Sequence, residues 1–424
     1  MNHMRVLRII LISFLPSLVA FADGSTYSQF GIGDIIYNSG GTRMGIAGVS
    51  IANLGPSSIN RINPAGLTGL RYVRFSGGFT YSVTSTKDQN QSAYFSDGTF
   101  TGMYIGLPLW SEYGLAISAG LAPYNAMNYK VRLPSDQFGA QYDINYIGEG
   151  GFSKSSFAIA MRPINSLSIG FSYNYIFGNL RTKWQTQSTA SDFYSSEVVR
   201  STEARGSSFT IGGIYTGLGS FIDIKEIEPL SLGAVLTTPT TLSTTRRTIY
   251  GYSTGPDTSA ADKGTLTIPI AYGIGLSYRV SNRFIVASDI YTQEWQNMKL
   301  NGTTYNEIRR SVRYAIGAEY LPLQEPTTTF VNHLSYQVGF AYNKTYYKIQ
   351  GEPIDEFSFS AGMSIPIIYD TKLNVACEYL IRGTTKQVTA PGSSTPIFLV
   401  KDNIFRLNFE LGIGELWFIQ STDE

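Results

Sequence analysis

The stretch Leu167-Ser-Ile-Gly-Phe-Ser-Tyr-Asn-Tyr-Ile-Phe177 decides the fold that this sequence predicts. Large apolar or aromatic side chains occupy every second position, and Ser168, Gly170, Ser172 and Asn174 alternate with them. A period of two residues indicates a β-strand with one apolar and one small, polar face. The run is twice as long as a soluble strand, which averages about 5–6 residues. It matches a strand tilted across a bilayer, which needs about 9–11.

The same alternation recurs along the chain. The runs are 70–83, 100–109, 114–123, 142–162, 166–180, 205–216, 230–237, 268–280, 284–296, 311–321, 333–343, 354–366, 372–382 and 402–414. Their number is even, as bacterial single-chain membrane barrels require. A bilayer also demands closure, because an open sheet edge would leave backbone groups unpaired in hydrocarbon. The sequence therefore predicts an all-β fold: a transmembrane antiparallel β-barrel of about 14 strands over residues 70–424.

Composition excludes several classes of function. Charged residues make up 15% of the chain, and 32 Lys and Arg balance 31 Asp and Glu, so no basic excess favours nucleic acid. A single cysteine and two histidines leave little material for a metal site or an activated nucleophile. We therefore expect no enzyme, metal or cofactor. A soluble β-sandwich or propeller is the alternative fold, but the second strand face carries few charges and no blade-length repeat is visible.

Two segments precede the barrel. Residues 1–22 combine Arg5 and Arg8 with a short apolar run and end in Ala20-Phe21-Ala22, which is typical of a signal peptide cleaved after Ala22. Residues 23–69 are rich in Gly, Ser, Ile and Asn but follow neither helix nor strand periodicity. A barrel of fourteen strands has a lumen that needs filling. We predict that 23–69 is a hatch inside the lumen, with a periplasmic extension as the alternative.

Within this hatch the sequence resembles a known family. Gly41-Thr-Arg-Met-Gly-Ile-Ala-Gly-Val-Ser-Ile-Ala52, followed by Asn63-Pro-Ala-Gly-Leu-Thr-Gly-Leu70, resembles the N-terminal hatch of FadL-type outer-membrane transporters of long-chain fatty acids and other hydrophobic compounds. The family motif falls on Asn63, Pro64 and Ala65. Tyr27–Asp34 and Gly412–Phe418 also resemble members from Bacteroidota-like bacteria.

The resemblance implies an outer-membrane location, contact with lipid and lipopolysaccharide, and passive uptake of a hydrophobic small molecule. It also implies exit through a kinked wall strand, gated by the hatch. Gly148, Gly150 and Gly151 interrupt the fourth run and are the candidate kink, because glycine suits bulges. Strand three, where Pro123 ends the run, is the alternative position.

Inward charges are candidate ligand contacts. Arg313, Arg382 and Arg406 fall on the polar face near the outer ends of their strands, where they could attract an anionic headgroup. Glu319, Glu378 and Glu410 share that face deeper down, so an Arg/Glu ladder that braces the lumen is the alternative.

Aromatic residues around one predicted outer loop suggest a landing groove. Tyr124, Met127, Tyr129, Phe138 and Tyr142 could form an apolar groove for a lipid-like ligand, and ordinary loop packing is the alternative. Two other functions stay open: a FadL-like barrel that serves as a protein-secretion or surface-attachment partner, and a water-filled porin. The sequence carries no signal for subunit contacts, so we expect a monomer.

Overall fold

The fold is described from a computed structural model. The structure describes residues 24–37, 40–89, 92–135, 142–188, 196–252, 255–305, 307–322, 329–368, 370–389 and 396–415. The predicted signal peptide, residues 1–22, therefore lies outside the described residues, and so does Phe138.

Fourteen wall strands, numbered in chain order, form the barrel. They are β1 Val73–Lys87, β2 Ser92–Trp110, β3 Leu115–Pro123 and Tyr129–Ser135, β4 Tyr142–Ile164, β5 Leu167–Ser188, β6 Ser196–Tyr215, β7 Leu230–Thr237 and Thr240–Tyr252, β8 Asp262–Ile268 and Ala271–Arg279, β9 Phe284–Gln293, β10 Ser311–Tyr320, β11 Ser335–Ile349, β12 Glu352–Ile368, β13 Thr371–Gly383 and β14 Lys401–Glu415.

Short elements join the wall strands. The other strands are Asp34–Ile35, Asn125–Ala126, Gly255–Thr258, Lys299–Leu300, Thr303–Thr304, Gln387–Thr389 and Pro396–Phe398. The helices are Gly41–Met44 and Leu218–Ile222, and the 3-10 helices are Thr26–Gln29, Pro64–Gly69, Lys225–Ile227, Trp295–Asn297 and Phe330–His333. None of the helices described here has the length and apolar character needed to cross a membrane.

The barrel closes between its first and last strands. Each wall strand pairs antiparallel with its sequence neighbour, and β1 pairs with β14 from Val73↔Glu415 to Lys87↔Lys401. Every one of the fourteen predicted runs lies on the wall strand of the same rank, so the predicted closed 14-strand barrel is confirmed. Closure pairs the edges that hydrocarbon would otherwise leave unsatisfied.

The two faces of the wall are inverted relative to a soluble protein. On β5, Phe171 is 42% exposed on the outside whereas its neighbour Ser172 is 6% exposed on the inside. The same contrast holds on β14 between Phe409 and Asn408. An apolar outer row and a small, polar inner row are what a lipid-solvated barrel requires.

One end of the barrel is taller than the sequence predicts. β5 continues to Ser188 and β6 begins at Ser196, although 181–204 was expected to be a loop. Residues 181–186 are exposed or half-buried on both strand faces, so this part of the ladder carries no apolar alternation for the sequence to reveal. At the same end, Gln350 and Gly351 join β11 to β12 with φ values of 50° and 88°, the two positive angles of a tight type I′ hairpin turn.

At the other end, two long turns fold back over the outside of the wall. The outward phenol of Tyr278 on β8 donates to the carbonyl of Glu226 (2.9 Å), and that of Tyr336 on β11 donates to Val331 (3.1 Å). Phe221 and Phe330, in the same two turns, are 78% and 62% exposed. The extra length of these turns therefore extends the lipid-facing surface.

The outer row predicts how the wall responds to charge. Replacing Ile274, which is 61% exposed on the outside of β8, with Arg should cost about 2–4 kcal/mol of unfolding free energy in a bilayer, because the cation would meet lipid. Denaturant unfolding in vesicles measures this loss. Thr258→Arg, on the exposed extension, is the matched control and should change little. Equal losses for both variants would contradict the lipid-facing assignment.

Candidate functional site

The N-terminal segment 24–72 lies inside the barrel. Thr68 Oγ1 donates to Ser168 Oγ on β5 (2.7 Å), and the Ala47 backbone N–H donates to Ser360 Oγ on β12 (2.8 Å). These strands stand half a ring apart, and both side chains point inward. Only a segment within the lumen can reach both.

The Asn63-Pro64-Ala65 motif joins the segment to the wall. Asn63 is fully buried, and its side-chain oxygen accepts from the Ala65 N–H (3.1 Å) to cap the 3-10 helix Pro64–Gly69. Its amide nitrogen donates to three carbonyls: Ile51 (2.7 Å), Gly213 on β6 (3.2 Å) and Ala234 on β7 (3.3 Å). One side chain thus fixes the helix start, the preceding turn and two wall strands.

Glycine on the inner face makes room for this backbone. A methyl group at Gly170 would overlap the backbone of Pro64 and Ala65, and one at Gly339 would overlap that of Ile46. The small side chains on the inner face of the wall therefore serve two purposes: they line the lumen with polar groups, and they leave space for the hatch backbone to pack.

Buried ion pairs fasten the hatch to the last part of the wall. Arg61 pairs with Glu410 on β14 at 2.6 Å, with both side chains at most 2% exposed, and Arg43 pairs with Glu319 on β10 at 3.3 Å. Glu410 also accepts the Gly41 N–H at 2.7 Å. Removing one partner of such a pair leaves a buried charge unmatched, which costs about 3–5 kcal/mol. The sequence singled out both glutamates but missed both arginines.

A third carboxylate receives the hatch backbone directly. Asp289 on β9 accepts the N–H groups of Ser50 (2.7 Å) and Ile51 (3.0 Å) through one oxygen. Sequence reasoning missed Asp289 as well. The available signal was a lone acid on the small, inward face of an otherwise uncharged strand.

Above the hatch lies a cavity of about 310 Å³, which we call the upper cavity. It lies between the hatch and the inner faces of β1, β2 and β9–β14. Its aromatic lining is Tyr37, Phe95, Phe100, Tyr291, Trp295, Tyr346 and Tyr347. Its charged lining is Asp34, Asp97, Arg313, Glu356, Glu378, Arg382 and Arg406. Its volume is at the lower end of the range for small-molecule sites.

The wall beside this cavity is interrupted in β3. The strand leaves the barrel ladder after Pro123 and resumes at Tyr129. Between these points Asn125–Ala126 turns inward and pairs with Asp34–Ile35 of the hatch. The Asn125 side chain also accepts from the Phe152 N–H on β4 (2.8 Å), so the inward segment is tied to both the hatch and the wall.

The interruption leaves a gap between β2 and β3. Pairing of the two strands runs from Trp110↔Leu115 only as far as Met103↔Leu121. Among the described residues, no ladder joins Ser92–Gly102 of β2 to Tyr129–Ser135 of β3, which pairs with β4 alone. The upper cavity is lined from both sides of this gap, by Phe95, Ser96, Asp97, Thr99, Phe100 and Thr101 and by Pro123, Ala126 and Asn128.

The predicted kink residues lie opposite the interruption. Gly148, Gly150 and Gly151 belong to β4, which is continuous from Tyr142 to Ile164. The Gly150 carbonyl accepts the Met127 N–H at 2.8 Å, and Gly150 has φ of 100°, a region that favours glycine. The break itself is therefore in β3, at the alternative position after Pro123.

The three candidate arginines all line the upper cavity, with different partners. Arg382 is buried between Asp34 of the hatch (2.9 Å) and Glu356 (2.6 Å). Arg406 pairs with Glu378 (3.0 Å).

Arg313 stacks on the ring of Tyr37, 4.5 Å from its centroid, and donates to the Ala47 carbonyl. Burial raises the pKa of the Tyr37 phenol, so the ring under this cation stays neutral near pH 7. Among the described ion pairs Arg313 has no carboxylate within 4 Å.

The predicted aromatic groove coincides with the interruption rather than with an outer loop. Tyr124 and Met127 lie in the inward segment, and Tyr129 begins the second part of β3. Met127 and Tyr129 are buried. Tyr142 begins β4. Of the predicted outer loop 124–141, the structure describes 124–135, and most of that part is strand.

Comparisons with known proteins agree with this architecture. A family model described as BamG matches residues 4–422. No curated protein sequence matches the chain.

Several solved structures share the fold. A FadL homologue from Pseudomonas aeruginosa is 11% identical, with a TM-score of 0.58 over 89% of this chain and 98% of that one. The toluene transporter TbuX from Ralstonia pickettii is 14% identical, with a TM-score of 0.58 over 90% and 100%. The toluene transporter TodX from Pseudomonas putida is 13% identical, with 0.58 over 90% and 99%. At these identities the similarity establishes the fold.

The ion pairs predict what holds the hatch. Glu410→Gln should lower the unfolding free energy by about 3–5 kcal/mol, because the ion pair with Arg61, in which both side chains are buried, would be lost, and it should raise ion conductance in planar bilayers. Glu378→Gln is the control, since its partner Arg406 lies on the wall and is 28% exposed. The double variant Arg61→Met with Glu410→Leu should recover part of the stability. Equal conductance of the two single variants would argue against Glu410 as a hatch anchor.

Proposed function

Because this chain belongs to the BamG family, and folds like channels for hydrophobic compounds, we propose that it is an outer-membrane channel for passive passage of hydrophobic compounds. The observation that carries the proposal is the upper cavity, whose lining includes both sides of the gap between β2 and β3. A cavity inside a barrel that opens through the wall offers an apolar solute a route into the membrane.

The chemistry of the cavity suits an amphiphile. Its aromatic side chains can pack against an apolar body, and Arg313 and Arg406 can meet an anionic end. Arg382, already held by two carboxylates, is the least available of the three. A long-chain fatty acid combines these two features. The TbuX and TodX structures are described as toluene transporters, so a small aromatic hydrocarbon is the competing ligand.

The hatch suits a gate beside this route. Its Asp34–Ile35 strand is paired with the inward segment of β3, and Asp34 is also bound by Arg382. A ligand that displaced either contact would loosen the segment that borders the gap. We therefore propose lateral exit between β2 and β3, controlled by the pairing of 34–35 with 125–126.

A protein-partner role is the second candidate, and the tall end of the barrel favours it. β4 and β5 have 23 and 22 residues, about twice what a bilayer requires. Their extensions carry mixed charges, such as Lys183 paired with Glu197 at 3.7 Å. Such a polar sheet above the membrane gives a secreted or surface-attached protein an area to contact.

Uptake by cells that lack and then regain this gene tests the first candidate. We expect the wild type to restore uptake of labelled oleate or toluene without admitting a small sugar. Ala126→Trp should abolish that uptake, because Ala126 borders the gap and the larger ring would fill it. Ser259→Trp, in an exposed turn at the tall end, is the control of equal bulk and should behave as wild type.

Two outcomes would contradict the proposal. If the Ala126→Trp variant takes up solute as fast as the wild type, the gap between β2 and β3 is not part of the route. No uptake of either solute by the wild type would favour the partner role. Capture of a specific surface protein by the intact barrel would support that role if the capture is lost when residues 181–204 are shortened.

A further inference from the structure

A second and larger cavity lies beneath the hatch, at the short-turn end of the barrel. Its volume is about 1200 Å³, and it is lined by the hatch and by the turn-side ends of the wall strands. Six cations line it: Arg43, Arg71, Arg162, Arg279, Arg283 and Lys372. Glu319 is the one carboxylate in its described lining. We call this cavity the basic vestibule.

The single carboxylate is already engaged, because Glu319 pairs with Arg43 at 3.3 Å. Among the described residues, no ion pair within 4 Å joins the other five cations to a carboxylate. The vestibule therefore keeps several positive charges unneutralised.

Three of these cations are held by neutral partners. Arg162 donates to the Thr68 carbonyl (2.9 Å) and Lys372 to Ser57 Oγ (3.2 Å). Arg283 donates to the Leu321 carbonyl (3.3 Å) and stacks on Tyr320. Such contacts restrict the side chains without cancelling their charge.

The upper cavity makes the contrast clear. There three arginines face four carboxylates, so the charges nearly balance. The basic vestibule is one-sided, and a cleft with charges of one sign concentrates the field and attracts the opposite ion. Its remaining lining is rich in neutral hydrogen-bonding groups, among them Ser58, Asn282 and Gln337.

We propose that the basic vestibule binds an acidic polypeptide segment that enters from the short-turn side of the barrel. Its cations come from the hatch and from several separate wall strands, which fits several carboxylates along an extended chain better than one compact anion. Its serine, asparagine and glutamine side chains can bond a peptide backbone. This proposal stands apart from the passage of hydrophobic compounds, because it concerns the opposite side of the hatch.

The test uses the purified full barrel in neutral detergent and a fluorescently labelled peptide of alternating glutamate and serine. Fluorescence anisotropy should report binding at low ionic strength that weakens as salt is added. The triple variant Arg71→Gln, Arg279→Gln, Lys372→Gln should weaken binding by about tenfold, the combined loss of two exposed charge pairs and one half-buried charge pair. Arg71 and Arg279 are exposed, so the barrel should fold normally, which its heat-dependent gel mobility checks.

The matched control removes two arginines and one lysine at the tall end: Arg132→Gln, Arg247→Gln and Lys263→Gln. It should bind the peptide like the wild type. The proposal is overturned by absence of binding, by unchanged binding in the vestibule variant, or by equal weakening in both variants. Displacement of the peptide by inorganic phosphate at an equal concentration would assign the vestibule to a small anion and would also overturn it.

Discussion

Hydrocarbon offers the polypeptide backbone no hydrogen-bonding partner, and this constraint governs the whole molecule. It demands that the two end strands of the sheet be paired with each other, which the β1–β14 ladder accomplishes from Val73 to Lys87. It also reverses the arrangement of a soluble protein: phenylalanine and tyrosine face the lipid, and serine, asparagine and glycine face the interior of the barrel. A wide ring built in this way would be a water-filled pore unless something occupied it.

The occupant and the wall are fitted to each other. Inner-face glycines admit the hatch backbone, Asn63 bonds to carbonyls of β6 and β7, and buried carboxylates receive Arg61, Arg43 and the N–H groups of Ser50 and Ile51. The lumen is thereby divided into an upper cavity of nearly balanced charge and a basic vestibule of one sign. Two compartments with different electrostatics can serve different ligands on the two sides of one membrane.

The barrel was predictable because a strand that spans a bilayer needs apolar side chains on its lipid-facing side, which gives a long period-two pattern such as that of Leu167–Phe177. The taller extensions were not, since residues 181–186 are exposed or half-buried on both faces and show no alternation. The break in β3 left one trace, Pro123 at the end of a run. The resumption at Tyr129 carries a short alternation, Tyr129, Val131 and Leu133, which is too brief to stand out as a spanning strand. Arg43 and Arg61 were missed because their partners lie 276 and 349 positions away, a separation that no local pattern encodes.

That separation has a consequence for how the molecule is made. Arg61 precedes the first wall strand and Glu410 belongs to the last, so their ion pair joins segments on either side of the whole barrel sequence. The hatch must wait for β14 before this anchor exists, yet once the ring is shut a segment with these buried contacts has no wide entrance left. The wall therefore assembles around the hatch. The last wall strand, β14, closes the ring by pairing with β1 and completes the Arg61–Glu410 anchor of the hatch.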